Sequence, residues 1–81
     1  MSELYKKLEE EMSKLGDKFI DLKEEFYRTG DDAPLIYLDD ELLRLRDEAM
    51  RLEDYGERLE VVNFITTVRN MISALMARGT L

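Results

Sequence analysis

The chain contains neither histidine nor cysteine. With them go the commonest general base, the thiol nucleophile, the disulfide and any imidazole or thiolate metal site. Its four glycines stand singly at positions 16, 30, 56 and 79, so no glycine-rich loop is present to cradle a phosphate. The serines are Ser2, Ser13 and Ser73, none in a G-x-S-x-G setting. No unbroken apolar run exceeds four residues, Leu35 to Leu38 and Ala74 to Ala77 being the longest, whereas crossing a bilayer takes about 20. Residues 1–7 lack the apolar centre of a secretory leader. These absences lead to the expectation of a cytoplasmic protein that is not an enzyme, spans no membrane, and carries no metal or cofactor.

What is present suits a small soluble domain. At 81 residues, 44% hydrophobic and 38% charged, the chain is too apolar for a disordered tail and short enough to leave a large share of its surface in water. Association is a common remedy. The net charge of −7 opposes binding to nucleic acid, whose phosphates are held by lysine and arginine. That charge is unevenly spread. Residues 31–60 carry 11 acids against 4 bases, whereas residues 61–81 carry no acid and two arginines, Arg69 and Arg78.

Helical periodicity runs throughout. Leu4, Leu8, Met12, Leu15, Phe19, Leu22 and Phe26 are spaced by three or four, one narrow apolar seam that predicts a helix over about 3–28. Tyr5, Ile20 and Tyr27 lie beside this seam and are read as widening it. Ser2 suits the N-cap and Thr29-Gly30 the stop, and Gly16 is read as a weak point or a close approach by another backbone. After the Asp31-Asp32-Ala33-Pro34 turn, a second seam through Leu35, Leu38, Leu42, Leu45, Ala49, Leu52 and Leu59 predicts a helix over about 34–54, with Ile36, Leu43 and Met50 broadening it. A third stripe, Val61, Phe64, Ile65, Val68, Met71, Ile72 and Leu75, predicts a helix over about 57–78. It is rotated by roughly 110° from the second at 100° per residue, so either the chain breaks at Tyr55-Gly56 or one long helix shows two faces. Asp54-x-x-Glu57 resembles a capping box and favours the break. The fold expected is all-α: a helical hairpin or three-helix unit with coiled-coil-like seams, as a single domain, assembled into a homo-oligomer.

Candidate chemistry is confined to carboxylates. Asp31, Asp32, Asp39, Asp40 and Glu41 lack the order of a calcium loop. Asp21/Glu24 and Asp54/Glu57/Glu60 resemble the paired acids of all-helical magnesium-dependent nucleotide pyrophosphatases, a resemblance that implies nucleotide hydrolysis. Such sites need acids converging from two helices, and here most lie off the seams, so a solvated face is expected.

The third helix is the most informative. Opposite its apolar stripe stand Asn63, Thr66, Thr67, Asn70, Ser73, Ala74 and Ala77, all small and uncharged in a chain that covers its other helices with charge. A self-association surface is the preferred reading, because small side chains admit a neighbouring backbone and Ser, Thr and Asn can pair across it. Burial inside a single-chain bundle is the plain alternative. A third reading gives Thr66, Arg69, Asn70 and Ser73 to a small anion or nucleotide. Met12, Met50, Met71 and Met76 suit a core at helical spacing better than an adaptable recognition groove. In size, acidity and helix layout the chain is similar to the small acidic helical-hairpin proteins that phages encode against host defence, and to small helical secretion chaperones. The function expected is therefore a homo-oligomeric interaction module that holds or inhibits a protein partner.

Overall fold

The computed structural model describes residues 2–79, which form three helices and no strand. Helix α1 spans Glu3–Thr29, α2 Ala33–Ala49 and α3 Tyr55–Gly79. At 1.5 Å per residue α1 is about 40 Å long and α2 about 25 Å, and the bundle's Cα atoms extend 43 × 17 × 14 Å. Helix α2 runs antiparallel to its neighbours. Lys18 of α1 pairs with Glu41 at 2.5 Å and Arg69 of α3 with Asp39 at 2.8 Å, while Ser2 and Tyr5 reach Glu57 and Glu60, level with them on the parallel α3.

Local chemistry sets the ends of the helices. Ser2 Oγ accepts the Tyr5 amide at 3.1 Å, which satisfies one of the four free N–H groups of the first turn. Gly30 closes α1 in the left-handed region, at φ 72°, and its amide donates to the Phe26 carbonyl, a conformation that costs glycine little. Asp31 Oδ1 then accepts the Ala33 amide at 3.1 Å, while Asp32 makes no side-chain cap. Leu35 to Leu38 are helical from the outset.

The chain does break between the second and third seams, but earlier than the sequence suggests. Helix α2 stops at Ala49, not near residue 54, and α3 begins at Tyr55. Because α2 is too short to span α1, residues 50–54 run on along the first turns of α1, and Leu52 is buried from within this loop. Arg58 Nη2 donates to the Leu52 carbonyl at 3.1 Å and holds the loop down. Asp54 Oδ1 accepts the Glu57 amide at 2.9 Å, the forward half of a capping box. The Glu57 carboxylate accepts instead from the Ser2 hydroxyl at 3.3 Å.

One core joins the three helices. Leu8, Leu15, Phe19 and Phe26 of α1 meet Leu35, Leu38, Leu42, Leu45 and Ala49 of α2, and Val61, Ile65, Val68, Ile72 and Leu75 of α3. No polar or charged residue among those described is buried in it. Tyr5 is a core member at 5% exposure rather than a seam edge. A Cβ built on Gly16 would sit 3.8 Å from Phe64 Cζ, an ordinary contact, so no backbone approaches there. The broadening residues Ile20, Tyr27, Ile36 and Met50 are exposed rather than buried, and so are Leu59 of the second seam and Met71 of the third stripe. Among the described residues no helix is long and apolar enough to cross a membrane.

Candidate interaction surface

With three helices around one core, each keeps one face outward. On α3 that face holds Asn63, Thr66, Thr67, Asn70, Ser73, Ala74 and Ala77, all of them exposed. Burial of this face within its own chain is therefore ruled out. Between Glu60 and Arg78 the only charged residue of α3 is Arg69, and it turns toward α2. Its Nε lies 2.8 Å from Asp39 Oδ1 and its Nη2 3.4 Å from Oδ2, and the hydrogen bond to Asp39 raises the pKa of the guanidinium above its usual value against the opposing effect of desolvation.

The neutral surface extends past α3 on both sides. Ile20 and Tyr27 of α1, Ile36 and Leu43 of α2, and Met50 just past the end of α2 each directly follow a buried core residue in sequence, which turns them about 100° away from the core centre. In both helices that turn is toward α3. Gly16 and Lys23, one turn before Ile20 and Tyr27, face Phe64 and Met71. Ile36 lines a shallow 250 Å³ groove with Arg69, Ser73 and Met76. Ile20 is 52% exposed, Ile36 47% and Met71 and Leu59 each 42%. One side of the rod is thus small and uncharged along its centre, with exposed apolar residues along margins that also carry Lys23 and Asp40. The α1/α2 side differs: its groove of about 300 Å³ is lined by Lys7, Glu11, Glu41, Arg44 and Glu48 around Leu15 and Leu45.

The possible anion-binding residues do not share one groove. Arg69 and Ser73 share the α2/α3 groove, but Asp39 and Asp40 line it as well and neither Thr66 nor Asn70 does. An anion would have to displace Asp39 from Arg69 and sit against a second carboxylate. Three of the five candidate catalytic acids are occupied structurally, since Asp54 caps α3, Glu57 accepts from Ser2, and Glu60 accepts from the Tyr5 hydroxyl, while Asp21 and Glu24 are exposed on α1. The Tyr5–Glu60 bond, together with burial, pushes the Tyr5 pKa up to about 12. Among the described residues no group of three or more acids is placed to hold a metal ion.

Sequence reasoning singled out the uncharged residues of α3, which are exposed, and missed the exposed apolar residues beside them. The signal was present in the heptad spacing of Ile20/Tyr27 and of Ile36/Leu43/Met50, each series one residue after a core position. No known protein family, curated protein or solved structure matches the chain.

Proposed function

We propose that the protein is a non-enzymatic interaction module that assembles with copies of itself through the α3 side, leaving its charged α1/α2 side to hold a protein partner. The observation that carries this reading is the exposure, along the whole of α3, of a neutral face bordered by large apolar residues, in a chain of net charge −7. Contiguous exposed apolar surface of this kind marks contact sites in small soluble proteins. Two chains of like charge repel, and α3, which carries no acid beyond Glu60, is the helix along which they meet with least repulsion.

The area is adequate. From Leu59 to Ala77 the face is about 27 Å long at 1.5 Å per residue. Taken with the inner halves of the flanking helices, about 20 Å wide in all, it would bury roughly 550 Å² per copy, or about 1,100 Å² in total, just above the lower bound for a specific interface.

The test is size exclusion with light scattering on the parent and on a Thr66→Glu/Asn70→Glu variant. Both residues are exposed in one chain, so the substitutions should change subunit stability by no more than about 0.5 kcal/mol. In a contact they would bury two unpaired carboxylates, costing several kcal/mol. A parent at a multiple of the 9.6 kDa chain mass and a folded, monomeric variant are expected. A parent that stays monomeric at high concentration, or an oligomer the variant retains, rejects the proposal.

A further inference from the structure

Resting on the reading of the α3 side as the self-association surface, we infer that its occupant is a single second copy laid antiparallel, α3 along α3, with a two-fold axis passing between Thr67 and Asn70. Two features of one chain point to this arrangement and agree on its register.

Charge is the first. The neutral face is bounded by Glu60 at one end and Arg78 at the other. These are separated by 18 residues, five full turns at 3.6 residues per turn, and so lie at the same angle around α3. Neither enters an ion pair within the chain among the described residues. An isologous antiparallel contact brings the same flank of both helices together in opposite directions, setting Glu60 against Arg78 of the partner subunit, and the reverse pair at the other end. A parallel contact would place acid level with acid and arginine level with arginine. The opposed helix dipoles favour the antiparallel choice as well.

Side-chain size is the second. Leu59 and Ala77 also stand 18 residues apart and share an angle, so the antiparallel pairing sets a large exposed side chain against a small one at each end. In a parallel pair Leu59 would meet the partner's Leu59 and force the helices apart. Charge and size thus give one centre, where Thr66, Thr67 and Asn70 are small enough for close approach and can hydrogen-bond across it.

The chain's lack of cysteine makes disulfide mapping the test. Asn63 and Ala74 are both exposed and lie at nearly the same angle on α3. In the inferred dimer Asn63 faces the partner's Ala74, so an equimolar mixture of Asn63→Cys and Ala74→Cys chains should cross-link on mild oxidation while each variant alone cross-links little. In a parallel dimer the mixed positions lie about 16 Å apart along the axis, beyond the reach of about 7 Å between Cα atoms. Efficient cross-linking of Asn63→Cys alone, with the dimer intact by sedimentation, would overturn the antiparallel arrangement and leave self-association standing. A parent that sediments as one chain removes both.

Charge exchange gives a second, covalent-free check. Arg78→Glu and Glu60→Arg chains should each dimerise about tenfold more weakly than the parent, and their mixture should recover to within about threefold, because the mixed dimer regains one pair as in the parent and one with its charges exchanged. Equal dimerisation of all four samples rejects the register.

Discussion

The end of the α2–α3 loop allows a cycle of substitutions whose outcome follows from three atoms. Asp54 Oδ1 accepts the Glu57 amide at 2.9 Å, and a Cβ built on Gly56 would come within 3.2 Å of that same oxygen. Removing the cap with Asp54→Ala should cost about 1 kcal/mol for the hydrogen bond and about 0.5 kcal/mol for the lost negative charge at the helix N-terminus. Domains of this size are stable by roughly 4–12 kcal/mol at 0.05–0.15 kcal/mol per residue, so this is a visible fraction, lowering Tm by about 6–12 °C. Asp54→Asn keeps an acceptor and should lose only the smaller contribution. In the parent, Gly56→Ala gains helix propensity of up to about 1 kcal/mol but crowds the cap, and the two effects should nearly cancel. Once Asp54 is alanine, the crowding is gone and Gly56→Ala should stabilise by the full propensity gain. The two substitutions are therefore coupled by several tenths of a kcal/mol or more. Urea denaturation followed by circular dichroism, at matched protein concentration because association raises apparent stability, measures the cycle. Equal effects of Gly56→Ala in both backgrounds, or no loss in Asp54→Ala, would refute this account of the loop.

Two further outcomes follow from the core and its one tyrosine. Leu42 is fully buried in the middle of α2, and Leu42→Ala should destabilise the protein by about 3 kcal/mol, read as a lower urea midpoint; a loss below about 1 kcal/mol would mean the three helices are not packed around it. Because folding raises the pKa of Tyr5 from 10.0 to about 12, the folded chain keeps a proton that the unfolded chain sheds in that window. This stabilisation is complete below pH 10 and is lost as pH rises from 10 to about 12. Tyr5→Phe should flatten the fall of the denaturation midpoint over this range, and an unchanged slope would contradict the Tyr5–Glu60 bond.

How far the sequence speaks depends on whether a feature is local. Ser2, Gly30 and Asp54 act on amides within three or four residues, and their roles are legible as capping chemistry. The end of α2 is not, because Leu52 continues the three-four spacing after Ala49 and is buried as expected, but from a loop. Periodicity reports burial, not the backbone that delivers it. The uncharged face of α3 stood out against the charge on the rest of the chain. Its margins did not, since Ile20 and Ile36 resemble wider seams until the position of the third helix is known. Arg69 looked like a ligand-binding cation because its partner, Asp39, is 30 residues away in sequence.

Whether a second copy covers the α3 side is tested most directly by hydroxyl-radical footprinting of the parent protein across a dilution series. Met71, Ile36 and Ile20 lie on that side, while Tyr37, 70% exposed, lines the α1/α2 side and serves as the internal control. The account predicts that oxidation of the first three falls several-fold as concentration rises through the association range, with Tyr37 unchanged. Oxidation of Met71 and Ile36 that stays constant at every concentration, or protection that appears at Tyr37 instead, would contradict it.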